Sequence, residues 1–188
     1  LPALRERIEG FDINTQDAMS QFNELIRRLL TLVFEAIDPI IEPSISSAVV
    51  ALLNFMQGKE LAGQERAIGV TGFSQGWHDA DLRTALLNRI DAQERCFQIF
   101  SEFADPDALT HWQQLLASSP STELERARRL ALSASGHQPA NFEMAQLWFE
   151  HATLRIDALK AIEDGLEQTL HARCQQRIQQ ARAAWTAE

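Results

Sequence analysis

The 188 residues contain no tyrosine, and their β-branched residues never gather into the alternating runs that mark a half-buried strand. A sheet is therefore not expected. Cysteine is scarce: Cys96 and Cys174 stand far apart with no C-x-x-C, which argues against a disulfide framework or a zinc site and suits a reducing cytoplasm. Long apolar runs are missing too. The most apolar stretch, LIRRLLTLVFEAIDPII, is broken by Arg27, Arg28, Glu35 and Asp38, so it falls short of the ~20 apolar residues of a membrane-spanning helix. No signal peptide is visible. Cations are outnumbered, 17 Lys and Arg against 26 Asp and Glu, for a net charge of -9 and a pI near 5.0. Such a field repels phosphate, and direct nucleic-acid binding is not expected.

The patterns of catalysis are absent as well. There is no G-x-S-x-G and no P-loop, and the glycines of QGKELAG fall inside a helical pattern rather than a strand-to-helix turn. His78, His111, His137, His151 and His171 form no H-E-x-x-H, and none follows an acidic residue by three positions, so neither a metal nor a cofactor is expected. The chain reads as a non-enzyme. Cys96, beside Phe97, reads as packing, and Trp77, Trp112, Trp148 and Trp185 as core or interface anchors.

Apolar residues recur at three- and four-residue spacing almost throughout, which predicts an all-α helical bundle. LPALRERIEG closes one helix at Gly10, and Asn14 with Asp17 opens a second whose inner stripe is Phe22, Ile26, Leu29, Val33 and Ile37. Pro39 and Pro43 end it. Ser44 is expected to cap a third helix running to about Gln75. A fourth follows GWHD to about Phe103, with Leu82, Leu86, Ile90, Phe97 and Phe100 facing in. Two short helices come next, one with Pro106 at its first position and one after a break at Pro120. The linker SASGHQPAN leads to a final helix of about 40 residues, ~60 Å at the standard rise, from Asn141. Its inner stripe reads Ala145, Trp148, Ala152, Ile156, Leu159, Ile162, Leu166 and Leu170. The tail ARCQQRIQQARAAWTAE loses that stripe, and either projects outward as a stalk or packs along the bundle and frays.

Within the third helix, Leu52, Met56, Lys59, Gly63, Arg66, Val70 and Phe73 alternate by four and three, which places two cations in an apolar seam. Glycines 58, 63, 69 and 72 each cost about 1 kcal/mol against alanine, so something must offset them. Ala62, Gly63 and Gly69 leave space beside Arg66, enough for a close helix or for a small ligand. An unpaired guanidinium there is heavily penalised, and must meet a carboxylate or an anion. Glu60 and Glu65 flank the seam, and the excess of acid favours an ion pair. A planar oxyanion would suit the guanidinium fork equally well. Both remain open on the residues alone. In ELERARRL, Arg126, Arg128 and Arg129 read as a solvated face with Glu123 and Glu125 as local partners.

The stretch ALLNFMQGKELAGQERAIGVTGFSQG, with K-E-x-x-G-Q-E-R-A ahead of glycine and an aromatic, resembles the signature of the NIT domain, the nitrate- and nitrite-sensing helical domain of bacterial regulators. Among these it is most similar to nitrate-responsive transcription antitermination proteins. LPALRERI, QFNELIRRLL, RIDAQERCFQIF and LWFEHATLRIDALKAIEDGL look like other parts of that domain in the right order, so the resemblance reaches about residue 170.

The resemblance implies a cytoplasmic sensor, residues 1–172, that takes nitrate or nitrite as ligand between helices. Residues 173–188 would be a helical tail or linker to an output domain outside this chain, of the RNA-binding antitermination type. The family implies two ligand arginines, one from this signature and one from an earlier ERG segment. By position Arg66 is the first, with Lys59 and Gly63 as further ligand-site residues and Glu60, Gln64, Glu65 and Gly69 in support. No ERG occurs in the chain, so an N-terminal part is expected to be missing; Arg5 falls at a different family position. The second cation would then lie in that part, or be Arg5, Lys59 or the Arg66 of a second copy, which leaves a homodimer open.

Overall fold

In the computed structural model, residues 2–10, 12–35, 42–133 and 139–186 are described, and all regular structure among them is helical. The helices are α1 (Pro2–Glu9), α2 (Thr15–Glu35), α3 (Pro43–Gln75), α4 (Ala80–Phe103), α5 (Pro106–Leu116), α6 (Ser119–Ser133) and α7 (Phe142–Thr186). They fall into two compact units, Leu1–Ile41 and Glu42–Glu188.

In the first unit, α2 starts where its cap dictates. The Asp17 amide donates to Asn14 Oδ1 at 2.8 Å while Asn14 Nδ2 reaches back to Asp17 Oδ2 at 2.7 Å, which satisfies an otherwise orphaned amide. Further along, Arg27 and Arg28 both donate to Glu24, and these bonds hold its carboxyl at about 2. Phe22 and Ile26 are half-buried and Leu29 is exposed. Val33, Ile37 and Pro39, expected to complete and end this stripe, lie outside the residues whose side chains are described.

The second unit is built on α3, which packs along α4 and α7, with α5 and α6 closing against α7. Pro43 opens α3 at its first position instead of ending the preceding helix. Glu42 occupies the N-cap in place of the expected Ser44, whose hydroxyl donates to the Glu42 carboxylate at 3.3 Å. At the other end Gly76 adopts φ 88°, a turn that a β-carbon would oppose, and Asp79 caps α4 by accepting from the Asp81 amide. Asn141 likewise caps α7 by accepting from Met144, while its own amide donates to the Phe73 carbonyl at 2.6 Å.

Three glycines of α3 are filled by aromatic rings. A β-carbon at Gly58 would stand 2.7 Å from the Phe97 ring, at Gly69 1.9 Å from Trp148, and at Gly72 2.3 Å from Trp77. All three rings are buried, so area removed from water, roughly 25 cal/mol per Å², offsets the glycines' poor helix propensity. Gly63 differs, since nothing lies within 4 Å of its missing β-carbon.

The buried stripe of α3 runs Ala51, Phe55, Gly58, Ala62, Glu65, Gly69 and Gly72, one residue earlier than the seam expected from the sequence; of that seam Leu52 and Phe73, at its two ends, are buried as expected, while Met56, Lys59, Gly63, Arg66 and Val70 are half-buried. On α7 the stripe runs Ala145, Trp148, Ala152, Arg155, Leu159, Glu163 and Leu166; Ile156 and Ile162 are only half-buried. Both shifts have one cause. Charged side chains hold inward positions that an apolar pattern assigns to their neighbours, and a polar partner from another helix makes this tolerable: Arg128 for Glu65, Gln93 for Arg155 and half-buried Lys59 for Glu163. Leu82 is also half-buried, whereas Leu86, Ile90, Phe97 and Phe100 face in as expected. Trp185 is 83% exposed and enters no core among the described residues.

Candidate functional site

A polar layer crosses the second unit between two apolar clusters. On one side lie Phe55, Phe97, Phe100, Trp112 and Leu159, and on the other Phe73, Trp77, Leu86, Leu124 and Trp148. Glu65 is the centre of the layer. Arg128 of α6 grips it with both arms, Nε to Oε1 and Nη2 to Oε2, each at 2.6 Å, and Gln93 of α4 donates to Oε2 at 2.5 Å. Arg155 of α7 donates to Gln93 Oε1 at 3.0 Å. Four helices are thereby tied through one carboxylate.

The charges in this layer are unevenly matched. Burial pulls the Arg128 guanidinium down, but its hydrogen bonds to Glu65 and its attraction to Glu65 and Glu125 outweigh this, and its pKa is raised. For Arg155 the balance is reversed: burial, reinforced by the neighbouring Arg128, outweighs attraction to Glu65 and Glu125 and brings it down to about 10. These residues correct two expectations. Arg128 is a buried ligand of Glu65 rather than part of a solvated face, although Arg126, 3.9 Å from Glu123, fits that description. Glu65 serves this layer and not the cations of its own helix.

Those cations sit at the edge of the packed stripe, half-buried. Lys59 Nζ lies 2.5 Å from Glu163 Oε2, an ion pair rather than a directed hydrogen bond, and Lys160 holds the other oxygen of Glu163 at 3.1 Å. Glu60 accepts from Gln64 at 3.1 Å on the same helix. Gly69, expected to leave room beside Arg66, is filled by Trp148.

Arg66 stands apart from every other charge of the signature. Among the described residues no carboxylate lies within ion-pair distance of it. Its Nη1 donates to Thr153 Oγ1 at 2.9 Å, its guanidinium carbon lies 5.1 Å from the centre of the Phe149 ring, and its backbone carbonyl accepts from Trp148 Nε1 at 3.0 Å. Three residues of α7 thus surround one residue of α3. The hydroxyl is neutral and the ring offers only its quadrupole, so the guanidinium keeps its charge and most of its donors for another acceptor.

Two larger grooves lie elsewhere. One, of about 650 Å³, runs between α5 and α7 past His111 and Gly165, and the other, of about 620 Å³, between α6 and α7 past Leu130 and Leu147. Neither is lined by Arg66 or Lys59. A planar anion of four atoms needs far less room than either.

The sequence pattern did not single out Gln93, Arg155, Glu163, Phe149 or Thr153, and it assigned Arg128 to a solvated face. A signal for one of them was available: strict three-four spacing from Ala145 passes through Arg155, and only its charge argued against it, whereas the same spacing lands on Ile162 and misses Glu163.

A family described as nitrate and nitrite sensing, NIT, matches residues 1–171. The nitrate regulatory protein of Klebsiella oxytoca is 40% identical over 165 residues, covering 87% of this chain and 41% of that protein. The solved structure of the NasR transcription antiterminator superimposes with a TM-score of 0.80 at 38% identity, over 90% of this chain and 45% of that one. The chain therefore spans less than half the length of these relatives.

Proposed function

Because the chain belongs to the NIT family of nitrate- and nitrite-sensing domains, we propose that Arg66 is its anion-recognising residue and that nitrate or nitrite binds against it. One observation carries this. Every other cation among Lys59, Arg128 and Arg66 has a carboxylate, and Arg66 has a hydroxyl and an aromatic face instead. A planar guanidinium offers parallel donors to a planar oxyanion, and a half-buried setting strengthens those bonds relative to water.

The remaining signature residues support the site in different ways. Gly63, one turn before Arg66 with open space at its β-carbon, leaves an approach to the guanidinium. Lys59 adds positive potential while its pair with Glu163 ties α3 to α7. Glu60 and Gln64 bond to each other, and Glu65 and Gly69 fix the far side of the helix through Arg128 and Trp148. A second cation, as the family resemblance implies, would complete the enclosure of the anion.

The sensing domain would pass its signal along α7, whose Phe149 and Thr153 touch Arg66 and whose 45 residues carry it well past the packed core. Residues 173–188 then serve as the link to an output domain. The relatives are a nitrate regulatory protein and a transcription antiterminator, so the output we propose is antitermination in the cytoplasm, with nucleic-acid contact left to the attached domain. No described helix is long and apolar enough to cross a membrane. The sensor itself performs no chemistry.

Thermal unfolding in nitrate tests this reading against chloride or sulfate at equal ionic strength. A ligand at a hundredfold excess over its Kd adds about 2.7 kcal/mol to the folded state, which raises the midpoint of a chain this size by several degrees. The rise should be specific to nitrate or nitrite and lost in Arg66→Ala. An unchanged midpoint in nitrate, or an equal rise in Arg66→Ala, would remove Arg66 from this role.

A further inference from the structure

Threonines inside helices usually spend their hydroxyl proton on the carbonyl four residues back. Here Thr31, Thr71, Thr84, Thr110, Thr122 and Thr169 all do so, at 2.9 to 3.3 Å. Thr153 does not. Its Oγ1 accepts from Arg66 Nη1 at 2.9 Å, and among the described residues nothing accepts its own proton. An oxygen that receives a bond from a cation is polarised to donate a stronger one. The proton is thus uncommitted, beside the guanidinium, on the helix proposed to carry the signal.

We propose that Thr153 is a second ligand-binding residue of the anion site, its hydroxyl accepting from Arg66 and donating to an oxygen of the bound nitrate or nitrite. This rests on Arg66 as the anion-recognising residue and adds a contact from a different helix. With Arg66 alone the anion would be held by α3. With Thr153 it is held by α3 and α7 together, so occupancy acts directly on the relation between these two helices. Phe149 closes one side with its ring, and Trp148 pins the Arg66 backbone from the same helix, so the hydroxyl is presented at a fixed place. The ligand class follows from the donors: an oxyanion can use two guanidinium arms and a hydroxyl at once, whereas chloride, a single atom, cannot match their directions.

Nitrate titration of isotope-labelled protein, followed at the Trp148 indole N–H, distinguishes the possibilities. The proteins compared are wild type, Arg66→Ala, Thr153→Val and Thr153→Ser. Thr153→Val keeps the branched shape and removes the hydroxyl, and should weaken nitrate binding about tenfold, the effect of one lost hydrogen bond to a charged ligand. Thr153→Ser should stay within about twofold of wild type, because the donor is restored. Thr153→Ala provides a second hydroxyl-free variant with good helix propensity, and should show the same loss even if valine proves poorly tolerated. If Arg66→Ala abolishes binding while Thr153→Val and Thr153→Ala bind as wild type does, Thr153 is no ligand and the Arg66 site still stands. Nitrate binding undiminished in Arg66→Ala, or absent from wild type, would overturn both.

Discussion

Glu65 and Arg66 are consecutive residues that turn toward opposite situations. Glu65 is 1% exposed, bonded through both oxygens to an arginine and a glutamine from two other helices. Arg66, about 100° further around α3, is half-buried and meets one hydroxyl and one ring. One side of the helix is saturated with partners and holds the bundle together. The other keeps unspent capacity, and the saturated side is what lets the unspent side be held in a fixed place. Saturated packing and spare donor capacity are thereby separated by a single step along the chain.

Breaking the saturated side should produce the largest effect. Glu65→Ala leaves Arg128 buried without its carboxylate and removes the acceptor of Gln93, and should cost about 3–5 kcal/mol in urea-denaturation stability. A loss below 1 kcal/mol would mean that water or Glu125 replaces the lost partner.

The glycines sharpen the contrast at intermediate size. Gly69→Ala forces a β-carbon into the Trp148 ring and should destabilise by about 1–3 kcal/mol, whereas Gly63→Ala meets open space and should stabilise by up to about 1 kcal/mol through helix propensity. Thermal midpoints moving in opposite directions would confirm that only one of these neighbours is a packing glycine. Both moving down would show that Gly63 is covered in solution.

The smallest effect on stability and a large one on response are expected at Arg66. Arg66→Lys keeps the charge and loses the planar fork, so its folding stability should change by less than about 0.5 kcal/mol, while its nitrate-induced shift in unfolding temperature falls nearly as far as in Arg66→Ala. A wild-type shift in Arg66→Lys would show that charge alone suffices.

Much of this architecture was legible in the residues. Asn14 with Asp17, Pro106 and Asn141 mark helix starts by local chemistry, and local chemistry is what a sequence carries most directly. Helical spacing and the glycines beside it drew attention to Arg66, family resemblance gave it a ligand role, and the absence of a carboxylate beside it among the described residues came only from the fold. The seam of α3 was misplaced by one residue because Leu52, Met56 and Val70 make the neighbouring stripe look the more apolar. Choosing correctly required knowing that Glu65 meets Arg128, 63 residues away. Thr153 was illegible for a similar reason: what sets it apart is a hydrogen bond it does not make, and a sequence records no unmade bonds.

The far end of α7 sets limits on the kind of motion that can leave the domain. Arg173 is clamped to both oxygens of Asp105 at 2.6 Å and to the Ser44 carbonyl at 3.1 Å, and Arg177 lies 3.5 Å from Glu42. These contacts act as a fulcrum. From Thr153 to Arg173 the helix runs ~30 Å and from Arg173 to Trp185 only ~18 Å, so a sideways swing of ~1 Å at Thr153 would reach the tip reversed and reduced to ~0.6 Å. A twist about the helix axis, or a slide along it, suffers no such reduction. A rod gripped close to its exit passes on rotation and thrust more faithfully than sway, and a receiver joined to this end would do best to listen for those.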